Sequence, residues 1–131
     1  MAEKRKTTIL ILDDETIVLN RLRPALEKTG YDVEVFSRSS EAAERIKEKI
    51  FDIVITDLKM QGLNGMQFLT MVKEHSPKTE VIVITGFATM ETAKESFQKG
   101  VFDFLAKPFK LGEIQDIVKR AEARIMESGV Q

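Results

Sequence analysis

The residues of this sequence that could do chemistry stand where short apolar, β-branched segments end. The clearest case is Phe51–Asp57, whose apolar middle runs directly into the carboxylate of Asp57. An ionisable group at the end of a buried strand is costly to place there unless it is used. We therefore expect the polar strand ends to converge on one site with Asp57 at its centre. The polar residues in such positions are Asp13, Asp14, Asp57, Thr85 and Lys107.

The three acidic residues indicate a magnesium site. Carboxylates that are brought close together repel one another, and their proximity raises the pKa of at least one of them. A hard divalent cation removes this difficulty, and Mg²⁺ is typically held by one or two carboxylates together with a phosphate. Asp13, Asp14 and Asp57 supply oxygen ligands of this type. The absence of cysteine and the presence of a single histidine, His75, argue against zinc or copper.

A carboxylate held beside Mg²⁺ can attack phosphorus and form an aspartyl phosphate. Because the transition state spreads charge over the phosphoryl oxygens, positioning and positive charge contribute most to such a reaction. In this interpretation Asp57 is the nucleophile, Lys107 supplies a fixed positive charge, and Thr85 donates a hydroxyl hydrogen bond to a phosphoryl oxygen. An Asp57 carboxylate that is already ionised needs no general base.

The elements that must position these residues follow from the apolar periodicity. Five strand-like segments alternate with five helical ones, which predicts a parallel sheet with helices on both faces. The first, third and fourth strands are the most continuously apolar and are expected to be central. The expected fold is therefore a flavodoxin-like, doubly wound α/β fold of order 2-1-3-4-5, which binds ligands at the carboxyl ends of its strands. The strand-like segments are 7–12, 31–36, 51–57, 80–84 and 101–106.

Two of the helices carry more detailed expectations. Pro24 lies inside the first helical segment and predicts a kinked helix rather than two helices. Thr89 is a candidate N-cap of the fourth helix. The spacing of Met90, Ala93 and Phe97 predicts that these three side chains face the interior.

Composition is typical of one globular domain. The chain has 131 residues, of which 43% are hydrophobic and 31% charged. A net charge of −1 gives no indication of direct binding to nucleic acid or to an anionic membrane. No apolar run approaches the roughly 18 residues of a spanning helix. The lack of cysteine fits a reducing compartment, so we expect a cytoplasmic location.

These residues together resemble the receiver domain of two-component response regulators. The resemblance covers residues 7–126 and leaves 127–131 as a C-terminal tail, with no output domain expected after it. The residues at 103–105 and 107–109 resemble the corresponding segments in receivers of the enhancer-binding transcription activator group. The matching motifs are Asp13-Asp14, the segment Ile55–Met60, Gly65, Thr85-Gly86 and Phe104–Phe109.

The resemblance implies that Asp57 accepts a phosphoryl group from the phosphohistidine of a sensor histidine kinase. Asp14, Asp57 and the backbone carbonyl of Lys59 are then expected to bind Mg²⁺ directly, and Asp13 mainly through water.

The resemblance also implies a conformational switch. Thr85 moves toward the phosphoryl group while Phe104 rotates inward, which alters a binding face on the last two helices. The Lys107–Pro108 peptide bond is expected to be cis. The implied partners are the kinase and an output domain or downstream protein, with a phosphorylation-dependent homodimer as a further option.

Other classes of function fit less well. A phosphatase on this fold needs a second aspartate two residues after the nucleophile, where Lys59 stands. No glycine-rich dinucleotide or Walker motif is present in the sequence. We therefore expect no enzyme beyond a protein that assists its own phosphorylation and dephosphorylation. The alternative that stays open is a phosphorylation-independent interaction module.

Several residues also have plainer interpretations. Asp13 or Asp14 could cap the first helix, and Phe104 could simply pack in the core. The Lys59 side chain and His75 are expected to be solvated. The basic residues of the last helix are expected to form a solvated face, with partner contact or dimerisation as the second interpretation; they are Lys119, Arg120 and Arg124.

Overall fold

Five strands and five helices alternate along the chain in a computed structural model that describes residues 5–59 and 64–129. The strands are β1 (Thr8–Leu12), β2 (Asp32–Phe36), β3 (Ile53–Thr56), β4 (Glu80–Thr85) and β5 (Asp103–Ala106). The helices are α1 (Thr16–Lys28), α2 (Ser39–Glu48), α3 (Gly65–His75), α4 (Met90–Gln98) and α5 (Leu111–Gly129).

The strands form one parallel sheet in the order β2-β1-β3-β4-β5. The predicted fold class and strand order are thereby confirmed, and β2 and β5 are the edge strands as expected. α1 is one helix that contains Pro24, in agreement with the prediction of one helix rather than two.

Alternate residues of the central strands enter two separate cores. Ile9 and Ile11 of β1 pack with residues of α1 and α5, whereas Leu10 and Leu12 pack with residues of α2 and α3. Because successive side chains of a strand point to opposite faces, a strand covered on both faces must be apolar throughout. Each such side chain contributes about 1.5–3 kcal/mol on burial. This double coverage explains the unbroken apolar runs in the sequence.

The fourth helix departs from the prediction. Thr89 caps α4 as expected, with its side chain accepting from the Thr92 N–H. However, Met90 is 90% exposed and Phe97 50% exposed, whereas Ser96 is fully buried. The prediction that Met90 and Phe97 face the interior was therefore wrong. α4 packs against the edge strand β5, and its one buried residue is the small Ser96, whose hydroxyl donates to the Thr92 carbonyl.

Among residues 5–59 and 64–129, no helix has both the length and the apolarity required to cross a bilayer.

Candidate functional site

The sheet register brings the predicted site residues to one edge. Thr56, the last residue of β3, lies beside Leu12, the last residue of β1. Asp13 and Asp57, which directly follow these two strand ends, therefore lie side by side. The Asp57 N–H donates to the Leu12 carbonyl at 3.0 Å. Because the strands are parallel, their carboxyl ends meet at this edge without any help from loop structure.

Three carboxylates cluster here. One oxygen each from Asp13, Asp14 and Asp57 lies within 4.8 Å of the others. Asp13 is completely buried and Asp57 is 5% exposed, whereas Asp14 is open to solvent. Burial raises the pKa of Asp13, and this outweighs the opposing attraction of the Lys107 ammonium. The predicted repulsion by a neighbouring acid is also present, since the Asp57 carboxylate raises this pKa further, by less than burial does.

The donor set of this cluster fits a hard divalent cation. The buried Oδ2 of Asp13 lacks a directed hydrogen-bond partner among the described residues, although the Lys107 ammonium lies 2.7 Å away as an ion pair. Exposed Asp14 leaves the cluster open on one side, and every side-chain donor is a carboxylate oxygen, the ligand type that Mg²⁺ prefers.

The lysine at the end of β5 reaches into this cluster. Lys107 Nζ lies 2.7 Å from Asp13 Oδ2, 2.9 Å from Asp57 Oδ2 and 2.5 Å from Glu15 Oε1. Burial alone lowers the pKa of Lys107, but its contacts with the carboxylates of Asp13, Glu15 and Asp57 outweigh it and hold that pKa well above its usual range. The ammonium is therefore a permanent positive charge beside Asp57.

The second oxygen of Asp57 is held by the backbone. Asp57 Oδ1 accepts from the Leu58 N–H at 2.6 Å and from the Lys59 N–H at 3.3 Å. The Asp57 carboxylate is thus fixed from both sides, with Oδ1 on backbone amides and Oδ2 toward Lys107. Such prior positioning reduces the reorganisation that an attack on phosphorus requires.

Gly65 fixes the loop that follows Asp57. Its N–H donates to the Leu58 carbonyl at 2.9 Å. A Cβ atom at this position would lie 2.1 Å from the Asp57 carbonyl oxygen and 2.4 Å from the Leu58 Cα. Only glycine allows the start of α3 to approach the strand end this closely.

The two residues proposed as a switch lie on neighbouring strands. Thr85 is fully buried, and its hydroxyl oxygen accepts from the Phe87 N–H at 3.0 Å. Phe104 is half-buried and packs against the core beneath α2 and α3, which agrees with the plainer interpretation of core packing. The Lys107–Pro108 peptide bond is cis, as the resemblance implied.

Lys59 is exposed, as expected. Its ammonium also lies 4.0 Å from the centroid of the Phe87 ring, a cation–π contact that the sequence did not predict. The neighbouring Met60, which belongs to the quoted motif, lies outside the described residues.

The basic residues of α5 are exposed, as expected of a solvated face, and two of them form ion pairs at the surface. Arg120 pairs with Asp116 and Asp103, and Arg124 pairs with Glu80. His75, at the C-terminal end of α3, is exposed as expected.

Sequence reasoning missed two residues of the site. Glu15 contacts Lys107, and its position directly after the acidic pair was the available signal. The Phe87 ring contacts Lys59, and the Phe87 N–H donates to the Thr85 hydroxyl. The available signal in the sequence was an aromatic residue in the loop that follows a strand-end threonine.

A doubly wound sheet with paired acids, a strand-end aspartate and a lysine at one carboxyl edge defines a receiver-type signalling module. The model of the family described as "Response regulator receiver domain" matches residues 9–119. The chain therefore belongs to the family of response regulator receiver domains, and it is a signalling module rather than a catalytic enzyme.

Relatives and solved structures agree with this assignment. The chain is 30% identical over 126 residues to the transcriptional regulatory protein ZraR of Salmonella typhimurium, covering 96% of this chain and 29% of that protein. A CheY-like receiver domain protein from Methanospirillum hungatei has a TM-score of 0.91 at 25% identity, with 95% of this chain and 99% of that one covered. The beryllofluoride-activated NtrC4 receiver domain dimer has a TM-score of 0.85 at 34% identity, with coverages of 90% and 98%.

The chain spans less than a third of the length of the curated relatives it matches. The resemblance to receivers of transcription activators is confirmed, since these relatives include the DNA-binding transcriptional regulator NtrC of Escherichia coli.

Proposed function

We propose that Asp57 accepts a phosphoryl group from the phosphohistidine of a sensor histidine kinase. An Asp57 carboxylate oxygen forms the new bond to phosphorus, the bond from phosphorus to the histidine nitrogen breaks, and the imidazole leaves with that electron pair. The observation that carries the proposal is the placement of Asp57 Oδ2 at 2.9 Å from the Lys107 ammonium, beside two further carboxylates.

The surrounding residues have separate roles in this reaction. Lys107 compensates charge that develops on the phosphoryl oxygens, and Thr85 donates its hydroxyl to one of them after leaving the Phe87 N–H. Asp13, Asp14, Asp57 and the Lys59 backbone carbonyl would hold Mg²⁺, with Asp13 acting mainly through water. When bound, Mg²⁺ supplies positive charge that offsets the repulsion between the acids and the incoming phosphoryl group.

The output of the switch is a surface formed by α4, β5 and α5. Movement of Thr85 releases the Phe87 N–H, and Phe87 precedes the Thr89 cap of α4 by two residues. Inward rotation of Phe104 on β5 accompanies this change. Met90 and Phe97 leave apolar area exposed on α4, where a partner could bury it.

This surface and the relatives support the proposed partners. Residues 7–126 form the receiver domain, α5 continues beyond it to Gly129, and the receiver regulates transcription through an output domain or a separate downstream protein. A homodimer formed on phosphorylation is supported by the activated NtrC4 receiver, which is a dimer. We place the protein in the cytoplasm, with no direct contact to nucleic acid or membrane, and with catalysis limited to its own phosphorylation and dephosphorylation.

The test is phosphorylation by a small donor followed by intact-mass measurement. The chain incubated with Mg²⁺ and acetyl phosphate should gain one labile phosphoryl group, while Asp57→Asn should gain none. Asp52→Asn is the matched control, because Asp52 precedes the same strand at its opposite end. If the parent gains no adduct, or Asp57→Asn gains it equally, the phosphoacceptor function is refuted and the phosphorylation-independent interaction module stands instead.

A further inference from the structure

We propose that Glu15 is a brake on phosphorylation: it competes with the phosphoryl group for the ammonium of Lys107. This inference rests on the proposed function of Asp57. An ammonium group has three N–H donors, and the three carboxylates of Asp13, Asp57 and Glu15 lie within 2.9 Å of Lys107 Nζ. With three carboxylate oxygens this close, a phosphoryl oxygen can reach the ammonium of Lys107 only if one of them moves away.

Glu15 is the partner that can be displaced. The Asp13 side chain is completely buried and cannot turn to water, and Asp57 is itself the acceptor. The Glu15 side chain is 61% exposed, so it can leave Lys107 and be hydrated at once. Glu15 also lies outside the carboxylate cluster that could hold a cation, so its departure removes no ligand from that cluster.

The backbone position of Glu15 supports a role directed at Lys107. Glu15 is the N-cap residue of α1, where a short side chain normally accepts from the first turn of the helix. Its side chain makes no such bond and extends to Lys107 instead, at 2.5 Å. Meanwhile its N–H donates to Asp13 Oδ1 at 2.9 Å, which fixes Glu15 beside the acidic cluster. The Glu15 side chain therefore contacts Lys107 across the site and does not cap α1.

The contact has a definite effect on the reaction. Two oxygens that share one ammonium lie only about 4–5 Å apart, so a Glu15 carboxylate still bound to Lys107 repels an approaching phosphoryl group. Removing the charge should speed phosphorylation about fivefold, which corresponds to about 1 kcal/mol. The acceleration should be larger for a donor with more negative charge.

The experiment compares Glu15→Gln with the parent at saturating Mg²⁺, using two small donors below saturation. Acetyl phosphate carries the higher net negative charge, and phosphoramidate the lower one because its nitrogen is protonated. We expect both rate constants to rise in Glu15→Gln and the ratio of acetyl phosphate to phosphoramidate rates to rise as well. A purely structural role for Glu15 would not move that ratio.

Glu74→Gln is the control, since Glu74 is an exposed carboxylate at the far end of α3. It should leave both rates and their ratio unchanged. A slower Glu15→Gln would mean that Glu15 positions Lys107 productively, and rates equal to those of Glu74→Gln would mean that it does nothing; either result overturns the brake. An unphosphorylated parent would instead refute the proposed function, and the inference with it. Thermal melts of both variants establish that they are folded.

Discussion

The Asp13 carboxylate and the Lys107 ammonium lie 2.7 Å apart, one at the end of the first strand and the other directly after the last. The Asp13 side chain is fully buried and that of Lys107 is 13% exposed. The pKa of Asp13 and the pKa of Lys107 are both raised. Each of these two groups is the counter-charge that stabilises the charged form of the other. Lys107 thus acts as the resident cation of a site built from carboxylates.

Removing this cation should destabilise the protein and increase its response to magnesium. Lys107→Met leaves Asp13 and Asp57 buried without their counter-charge, and loss of one partner of a buried pair costs about 3–5 kcal/mol. Added Mg²⁺ should restore part of that loss because it binds the folded state and replaces the missing charge. Urea unfolding with and without Mg²⁺ measures both effects.

Lys119→Met provides the control for this prediction, since Lys119 is exposed on α5. It should change stability by less than about 0.5 kcal/mol and respond to Mg²⁺ as the parent does. A Lys107→Met protein with the parent's stability and the parent's Mg²⁺ response would show that the carboxylates do not depend on this lysine.

The close approach at Gly65 leads to a second prediction. Gly65→Ala places a methyl group 2.1 Å from the Asp57 carbonyl oxygen, so the loop after β3 must shift. We expect a loss of about 3 kcal/mol, as for other overpacked sites, together with slower phosphorylation of Asp57. Chemical denaturation and the acetyl phosphate assay measure the two changes.

The matched substitution is Gly112→Ala. Nothing lies within 4 Å of a Cβ at Gly112, and this residue is in α5, where alanine is the better helix former. That variant should gain up to about 1 kcal/mol. If both glycine variants behave alike, the contact between α3 and the Asp57 carbonyl is not the reason for glycine at position 65.

Much of the site could be predicted because it depends on backbone topology. Parallel strands place their carboxyl ends at one edge, so residues that follow those ends meet whatever the loops do. The strand boundaries alone are enough to predict that Asp13, Asp57 and Lys107 lie together. The crowding of acids follows from the same placement, whereas the raised pKa of Asp13 comes mainly from its burial.

The remaining features depend on side-chain conformation and on how much surface an element covers. Whether Glu15 caps α1 or reaches Lys107 is a choice between rotamers that composition does not determine. The stacking of Lys59 on Phe87 joins two loops of different strands. The periodicity of α4 gave the correct helix, but it carries no information on how little sheet lies beneath an edge helix, so Met90 and Phe97 were misplaced.

A third prediction concerns the amino-terminal ends of the strands, opposite the site, and the expected effect depends on pH. Asp52 accepts from the Thr8 N–H at 2.9 Å and pairs with Arg5 at 2.7 Å. Burial alone raises the pKa of Asp52, but the hydrogen bonds from Arg5 and Thr8 outweigh it and lower that pKa below its usual value. Asp52→Asn should therefore cost about 2 kcal/mol at neutral pH.

The sign of the pH effect follows from the lowered pKa. A depressed carboxyl pKa contributes stability that is fully present above the unfolded value, about 3.9, and is lost as pH falls through the folded value. The difference between the parent and Asp52→Asn should hence shrink below about pH 4. Asp116→Asn removes an exposed, paired carboxylate of α5 and should show a difference of less than about 0.5 kcal/mol at every pH. A constant difference for Asp52→Asn across this range would contradict the assignment.

The fourth prediction uses the only tyrosine of a chain that lacks tryptophan. The Tyr31 hydroxyl donates to Glu122 Oε1 at 3.1 Å, and Glu122 also accepts from the Thr7 hydroxyl at 2.6 Å. Burial, and after it the bond to Glu122, raises the pKa of Tyr31 to about 12. Tyrosinate absorbance should accordingly titrate near that value rather than near the usual value of about 10.

Because the folded pKa of Tyr31 is raised, its contribution to stability is complete below about pH 10 and is lost as pH rises through the folded value. Glu122→Gln keeps the burial but removes the negative charge beside the phenol, so the titration midpoint should fall part of the way toward the ordinary value. Glu127→Gln, an exposed position further along α5, should leave the midpoint unchanged. A parent that titrates at the ordinary value would mean that Tyr31 is not buried beside Glu122 as the structure places it.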